Sequence, residues 1–281
     1  MIEQAQVGLP TPMASTLRIV DLSLGQMLWS RRSVFLGLLV GGPVVLALAI
    51  RVLTTPELTS GIRVTGVQVD GASLFGVMIW LLYIRFVVPV LGIFYGTALI
   101  ADEVDDKTIT YLFTRPIPRD AVLMGKYLAY LICTTLLVLP SVVLVYFFVI
   151  PVNGGHIGEA FPSLVVDLGV IAVGLAAYGS VFALIGARLR RPLVVGLVFA
   201  FGWEPAVLLF PGYLKRLTVG YYLQGLVPHT MPQDSTLSAW MQMFTDTPTL
   251  AASLGSLVLL TLGSLWLAGR VVDRREYVLE Q

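Results

Sequence analysis

Apolar positions along this chain fall in long unbroken runs rather than in alternation. Six runs stand out, at residues 34–53, 74–101, 127–150, 164–187, 192–212 and 250–272. Each supplies the roughly 20 helical residues that cross a hydrocarbon core of about 30 Å. None shows the period-two alternation of barrel strands, so the pattern predicts helices. The fold class that follows is an all-α integral membrane protein with six transmembrane helices. At about 1.5 Å per residue the second run is ~42 Å long, so it tilts or protrudes. Ahead of the first run, Leu17, Val20, Leu24, Met27 and Leu28 recur at helical spacing, with Arg18, Asp21, Gln26 and Arg31 around them. That predicts an N-terminal amphipathic helix lying in the membrane interface.

Lysine and arginine orient the spans. Arg18, Arg31 and Arg32 precede the first. Lys107, Arg115, Arg119 and Lys126 follow the second, Arg188, Arg190 and Arg191 follow the fourth, and Arg270, Arg274 and Arg275 end the chain. These thirteen share one side; only Arg51, Arg63, Lys215 and Arg216 lie on the other, and Arg85 is inside a span. Both termini are therefore expected in the cytoplasm. The organisation reads as a cytoplasmic segment 1–33 with the interfacial helix, a six-span domain 34–272 and a cytoplasmic tail 273–281. Within the domain lie a cytoplasmic loop 102–126 and an outer segment 213–249. The first run opens only after an arginine pair, and is expected to stay as a span rather than be cleaved.

Composition narrows the classes. Of 281 residues, 57% are hydrophobic and 12% charged, too few polar groups to cover a water-exposed globule. The net charge of +1 gives no global attraction to polyanions, so no nucleic-acid partner is expected. A single cysteine, Cys133, excludes an intrachain disulfide and reads as a small apolar residue of the third span.

Three ionisable residues fall within spans: Arg85, Asp167 and Glu204. Each costs on the order of 2.5–3.5 kcal/mol at a helix centre, so a partner or a wet cavity is expected. Counting from the span ends puts Arg85 and Glu204 at a similar level, where they can pair, either as a gate on a transport path or as a buried bridge joining two spans. Asp167, three residues into the fourth run, is expected at the interface. Gly92, Gly96, Gly255 and Gly263 are read as close-approach points between helices. His229, Met231, Met241 and Met243 offer soft donors for monovalent copper, but Trp240 and Phe244 beside them favour the apolar face of a surface helix. No metal site is assigned.

The most specific segment begins Asp102-Glu103-Val104-Asp105-Asp106-Lys107-Thr108-Ile109-Thr110-Tyr111-Leu112-Phe113-Thr114-Arg115-Pro116-Ile117-Pro118-Arg119. It runs on through Val122-Leu123-Met124-Gly125-Lys126. It resembles the loop between spans two and three in permease subunits of the type-two ABC (ATP-binding cassette) exporters. There an acidic pair leaves span two, a Thr-aliphatic-x-x-Leu helix follows, then an Arg/Tyr-Pro turn, an Arg, and Gly-Lys entering span three. Lys107 departs from that pattern, where a glycine often precedes the Thr. Trp203-Glu204-Pro205 and the run Tyr221-Tyr222-Leu223-Gln224-Gly225-Leu226 are also similar to that family.

The resemblance implies an export permease in a bacterial cytoplasmic membrane, powered by a separate cytoplasmic ATP-binding cassette subunit. The interface with that subunit would comprise Asp102, Glu103, Thr108, Leu112, Phe113, Arg115, Pro116 and Arg119. It also implies a second permease copy as a homodimer, spans two and five lining the dimer axis, and surrounding membrane lipids. ATP and magnesium would sit on the partner subunit. This chain has no Gly-x-x-x-x-Gly-Lys-Ser/Thr, and no catalytic residue or cofactor is assigned to it. Without the resemblance, the same charges suit a membrane scaffold or an ATPase-independent secondary transporter, coupling ions through Arg85, Asp167 and Glu204. The inverted repeats that favour such a transporter are not visible.

Overall fold

The computed structural model describes residue 20, residues 23–25, 27, 31–54, 63–64, 67–68, 70–100, 119–152, 155–209, 213–227 and 248–274. These are almost wholly helical. Helix α1 is Arg31–Leu53, followed by a two-residue ladder of β1 (Arg63–Val64) and β2 (Val67–Gln68). Helix α2 is Gly71–Ile100, α3 is Arg119–Val149 and α4 is Ile157–Arg188. The apolar helix α5 starts at Pro192 and ends at Leu209, and a 3-10 turn, Tyr213–Leu217, leads to α6, Val219–Gln224. Helix α7, Leu250–Arg274, closes the chain.

Five helices, α1, α2, α3, α4 and α7, are long and apolar enough to cross a membrane. The fifth run behaves differently. Its 18 residues reach about 27 Å, and Glu204-Pro205 followed by Pro211-Gly212 interrupt the apolar sequence. Two other starts are earlier than the sequence suggests. The third helix begins at Arg119 rather than 127, and the fourth at Ile157 rather than 164, because Pro162 is accommodated inside the helix. Of the expected N-terminal amphipathic helix, Val20, residues 23–25 and Met27 are helical, with Val20 and Ser23 buried. The rest of it lies outside the described residues.

Helix α4 is the hub. It packs on α3, α7, α2, the start of α5 and α6, while α1 lies along α3. The core between them holds Tyr83, Tyr130, Tyr146, Tyr178, Phe75 and Phe182, all essentially inaccessible. In hydrocarbon every hydroxyl must find an acceptor, and these do. Tyr127 and Tyr130 donate to the carbonyls of Ala176 (2.8 Å) and Leu175 (3.0 Å), and Tyr83 meets the Ser141 hydroxyl at 3.0 Å. Tyr146 donates to the carbonyl of Ile157. Three apolar helices, α2, α3 and α4, without a strong hydrophobic drive between them are thereby given register by side-chain hydrogen bonds.

Glycine sets the distance between α2 and α4. A Cβ added at Gly92 would lie 2.8 Å from the Phe182 ring, and one at Gly96 would lie 3.0 Å from Phe182 Cβ and 3.1 Å from the Gly179 carbonyl. Across the same seam, a Cβ at Gly186 would overlap the Thr97 carbonyl. Among the described residues nothing lies within 4 Å of such a Cβ at Gly255 or Gly263, so their expected role in close packing is not seen there. Gly96→Leu should therefore destabilise the bundle by about 1–3 kcal/mol through overpacking, whereas Gly255→Leu should change stability by less than about 0.5 kcal/mol. Unfolding midpoints in detergent, measured by denaturant titration, test this; equal midpoints for the two variants would contradict it.

Candidate functional site

The site is built around one carboxylate. Glu204 is the first residue beyond the π-helical stretch Val198–Trp203 of α5, and only 2% of it is accessible. The Tyr178 hydroxyl, from the middle of α4, donates to Glu204 Oε2. The backbone N–H of Val219 donates to Oε1 at 3.2 Å, and Gly220, the next residue of α6, adds its own N–H. Arg85 comes from α2 and interacts electrostatically with both Glu204 and Tyr178. The charges converge on Gly220: a Cβ there would lie 3.4 Å from Glu204 Oε2 and 3.7 Å from Arg85 Nη1.

Local winding delivers these groups. Arg85 lies in a second π-helical stretch, Ile79–Val87. Hydrogen bonds from i to i+5 bring residues five apart onto one side, and the Arg85 guanidinium sits 4.9 Å above the Trp80 ring. Tyr178 is wedged by aromatic packing. Its ring stacks on Phe182 at 6.0 Å, and Phe182 meets Phe199 of α5 edge-on at 6.1 Å. Thr218 caps α6: its hydroxyl accepts from the Tyr221 N–H (3.4 Å) and donates to the Lys215 carbonyl (2.8 Å). The segment 213–224 is thus folded back against the bundle, and the carboxylate joins it to α4 and α5 while Arg85 brings in α2.

This arrangement is suited to holding four elements together in a low-dielectric setting, where a carboxylate needs several donors. Among the described residues there is no group of three His, Cys, Asp or Glu side chains that could hold a metal ion. Cys133 is buried in α3.

Arg85 and Glu204, expected at one level, are brought together as neighbours. Asp167, expected near the membrane interface, is fully buried within the protein in α4. The helix begins seven residues before the expected start, which carries Asp167 about 15 Å along the helix axis from Ile157. Tyr178 and the backbone of Val219 and Gly220 are members that the sequence reading misses. A tyrosine hydroxyl near the middle of an apolar span is the signal that points to Tyr178. Of the expected interface set, Asp102, Glu103, Thr108, Leu112, Phe113, Arg115 and Pro116 lie outside the described residues, and Arg119 is the first residue of α3. His229, Met231, Met241 and Met243 also lie outside them.

Exposed apolar side chains of α2 and α5 adjoin this site. Leu81, Phe86, Val198, Phe201 and Trp203 are all largely accessible, and the Phe86 and Phe201 rings lie 6.0 Å apart. Comparison with known proteins finds that the family model described as ABC-2 family transporter protein matches residues 4–274. No curated protein matches the chain.

Proposed function

Because the chain belongs to the ABC-2 transporter family, we propose that it is the permease subunit of an ATP-driven exporter. The observation that carries this reading is the family match along nearly the whole chain. Two copies form the pathway, with α2 and α5 facing the dimer axis; their exposed apolar faces, joined at Phe86 and Phe201, support that role. Two separate cassette subunits, holding ATP and magnesium, dock on the loop 102–126 through Asp102, Glu103, Thr108, Leu112, Phe113, Arg115, Pro116 and Arg119. Their closure tilts the helices and alternates access across the bacterial cytoplasmic membrane. In this reading α5 with the folded-back segment 213–224 makes a sixth crossing. The segment 1–33 and the tail 273–281 stay in the cytoplasm, and residues 15–32 form the interfacial helix. Arg85 and Glu204 close the outer end of the path.

The test is co-expression with candidate cassette subunits. A four-subunit complex that hydrolyses ATP is expected, and the purified chain alone should be inactive. ATP hydrolysis by the isolated chain, or a stable complex with no cassette subunit that transports on its own, would overturn the reading.

A further inference from the structure

A second charged feature lies at the far end of the hub helix, away from Glu204. Helices α4 and α7 end side by side: Ala187 is buried in one small cluster with Ala268 and Val272, together with Ile100 and Leu123. Around this seam Arg188, Arg190 and Arg191 at the end of α4, and Arg270 and Arg274 at the end of α7, are all exposed. The acidic side chain described beside them is Asp273, also exposed. An excess of guanidinium groups thus rims a junction of two apolar helices.

The outward face of α7, turned away from Ala268 and Val272, carries one of those cations at the end of an apolar stripe. Leu259, Leu262 and Trp266 are 77%, 62% and 59% accessible. They are spaced by three and four residues, hence on one stripe. The next position on that stripe is Arg270, whose guanidinium lies 4.8 Å above the Trp266 ring. An apolar track about two turns long therefore runs into an indole and then into a cation. That is the profile of an acyl chain, an interface and an anionic headgroup in sequence. Arginine suits the last step, because its planar fork binds phosphate oxygens in pairs.

We propose that the outward face of α7 is a binding site for an anionic phospholipid, with Arg270 and Arg274 engaging the phosphate and the Leu259–Leu262–Trp266 stripe taking an acyl chain. Arg188, Arg190 and Arg191 enrich the same leaflet in anionic lipid at longer range, within a Debye length. The site stands on α7 alone and does not depend on the transport reading.

The experiment uses the full chain with Trp266 as its only tryptophan (Trp29, Trp80, Trp203 and Trp240 each changed to Phe), reconstituted in vesicles. Brominated phosphatidylglycerol is diluted into phosphatidylcholine, and in a parallel series the bromine label is carried by phosphatidylcholine instead. Quenching of Trp266 should report a preference for phosphatidylglycerol of about fivefold or more. High salt should diminish it, and Arg270→Gln and Arg274→Gln together should bring it close to one. Inorganic phosphate should leave the quenching unchanged; if it removed the preference, the site would be one for a free anion and not for lipid. Equal quenching by both lipids in the chain with all its arginines overturns the proposal without recourse to any arginine variant. A preference that appears only after Asp102, Glu103, Asp105 and Asp106 are neutralised overturns it too, assigning the arginines to the chain's own acidic run. No quenching by either lipid means that protein covers Trp266, and the proposal fails.

Discussion

Glu204→Leu should destabilise the protein by about 3–5 kcal/mol, the usual loss when one member of a buried charged cluster is removed and its partners remain. The leucine would leave the Tyr178 hydroxyl and the Val219 and Gly220 N–H groups without their acceptor, and the Arg85 guanidinium without the opposite charge beside it. Each of these groups sits where water is scarce, so the penalty is that of desolvated donors rather than of one lost bond. Glu204→Gln should cost less, since the amide oxygen can still accept from the α6 backbone while its NH2 group faces Arg85. Tyr178→Phe removes one hydrogen bond to a charged group and should cost about 1.5–3 kcal/mol. Denaturant titration of the purified protein gives the order, and limited proteolysis of segment 213–224 gives the location. Release of that segment in Glu204→Leu while α1 to α4 stay protected is the expected pattern. A Glu204→Leu protein as stable as the parent would mean that the carboxylate joins nothing.

Much of this cluster is legible in the amino-acid sequence, and the gaps have physical causes. Two opposite charges at one depth in an apolar chain almost dictate their own meeting, because neither tolerates hydrocarbon alone. Depth counting therefore finds Arg85 and Glu204. For Asp167 the count starts seven residues late because Pro162 looks like a helix end; within a bundle its missing N–H is tolerated, and the helix begins at Ile157. The π-helical stretches at 79–87 and 198–203 leave no mark on a hydrophobic pattern that is apolar on every side. They nevertheless place Arg85 over Trp80 and precede Glu204. The glycines show the same division. Gly92 and Gly96 pack closely whereas no described residue meets Gly255 or Gly263, and spacing alone cannot separate them, since it does not say which face meets a neighbour. The fold-back of 213–224 is hidden for a related reason. Its anchors, Val219 and Gly220, act through backbone N–H groups that every residue except proline possesses.

If the loop 102–126 is the docking element, Phe113→Ala should weaken capture of the cassette subunit by about 2 kcal/mol or more, roughly thirtyfold in affinity, as truncation of a buried aromatic anchor does. Leu112→Ala should act in the same direction. Arg119→Ala, a charge expected at the rim of the contact, should change it by about 0–1 kcal/mol. The contrast separates docking from charge alone, since a purely electrostatic contact would reverse the order. Phe113 is remote in sequence from Glu204 and from the glycines of the α2–α4 seam, so the permease itself should keep its unfolding midpoint. Affinity is read by titrating the cassette subunit against nanodisc-embedded permease, and coupling by the ATP hydrolysis of the reconstituted complex. Weak binding with an intact permease places the contact in this loop. Wild-type affinity and hydrolysis in both Leu112→Ala and Phe113→Ala would leave 102–126 a solvated connector whose charges serve topology, and the cassette would have to engage the chain elsewhere.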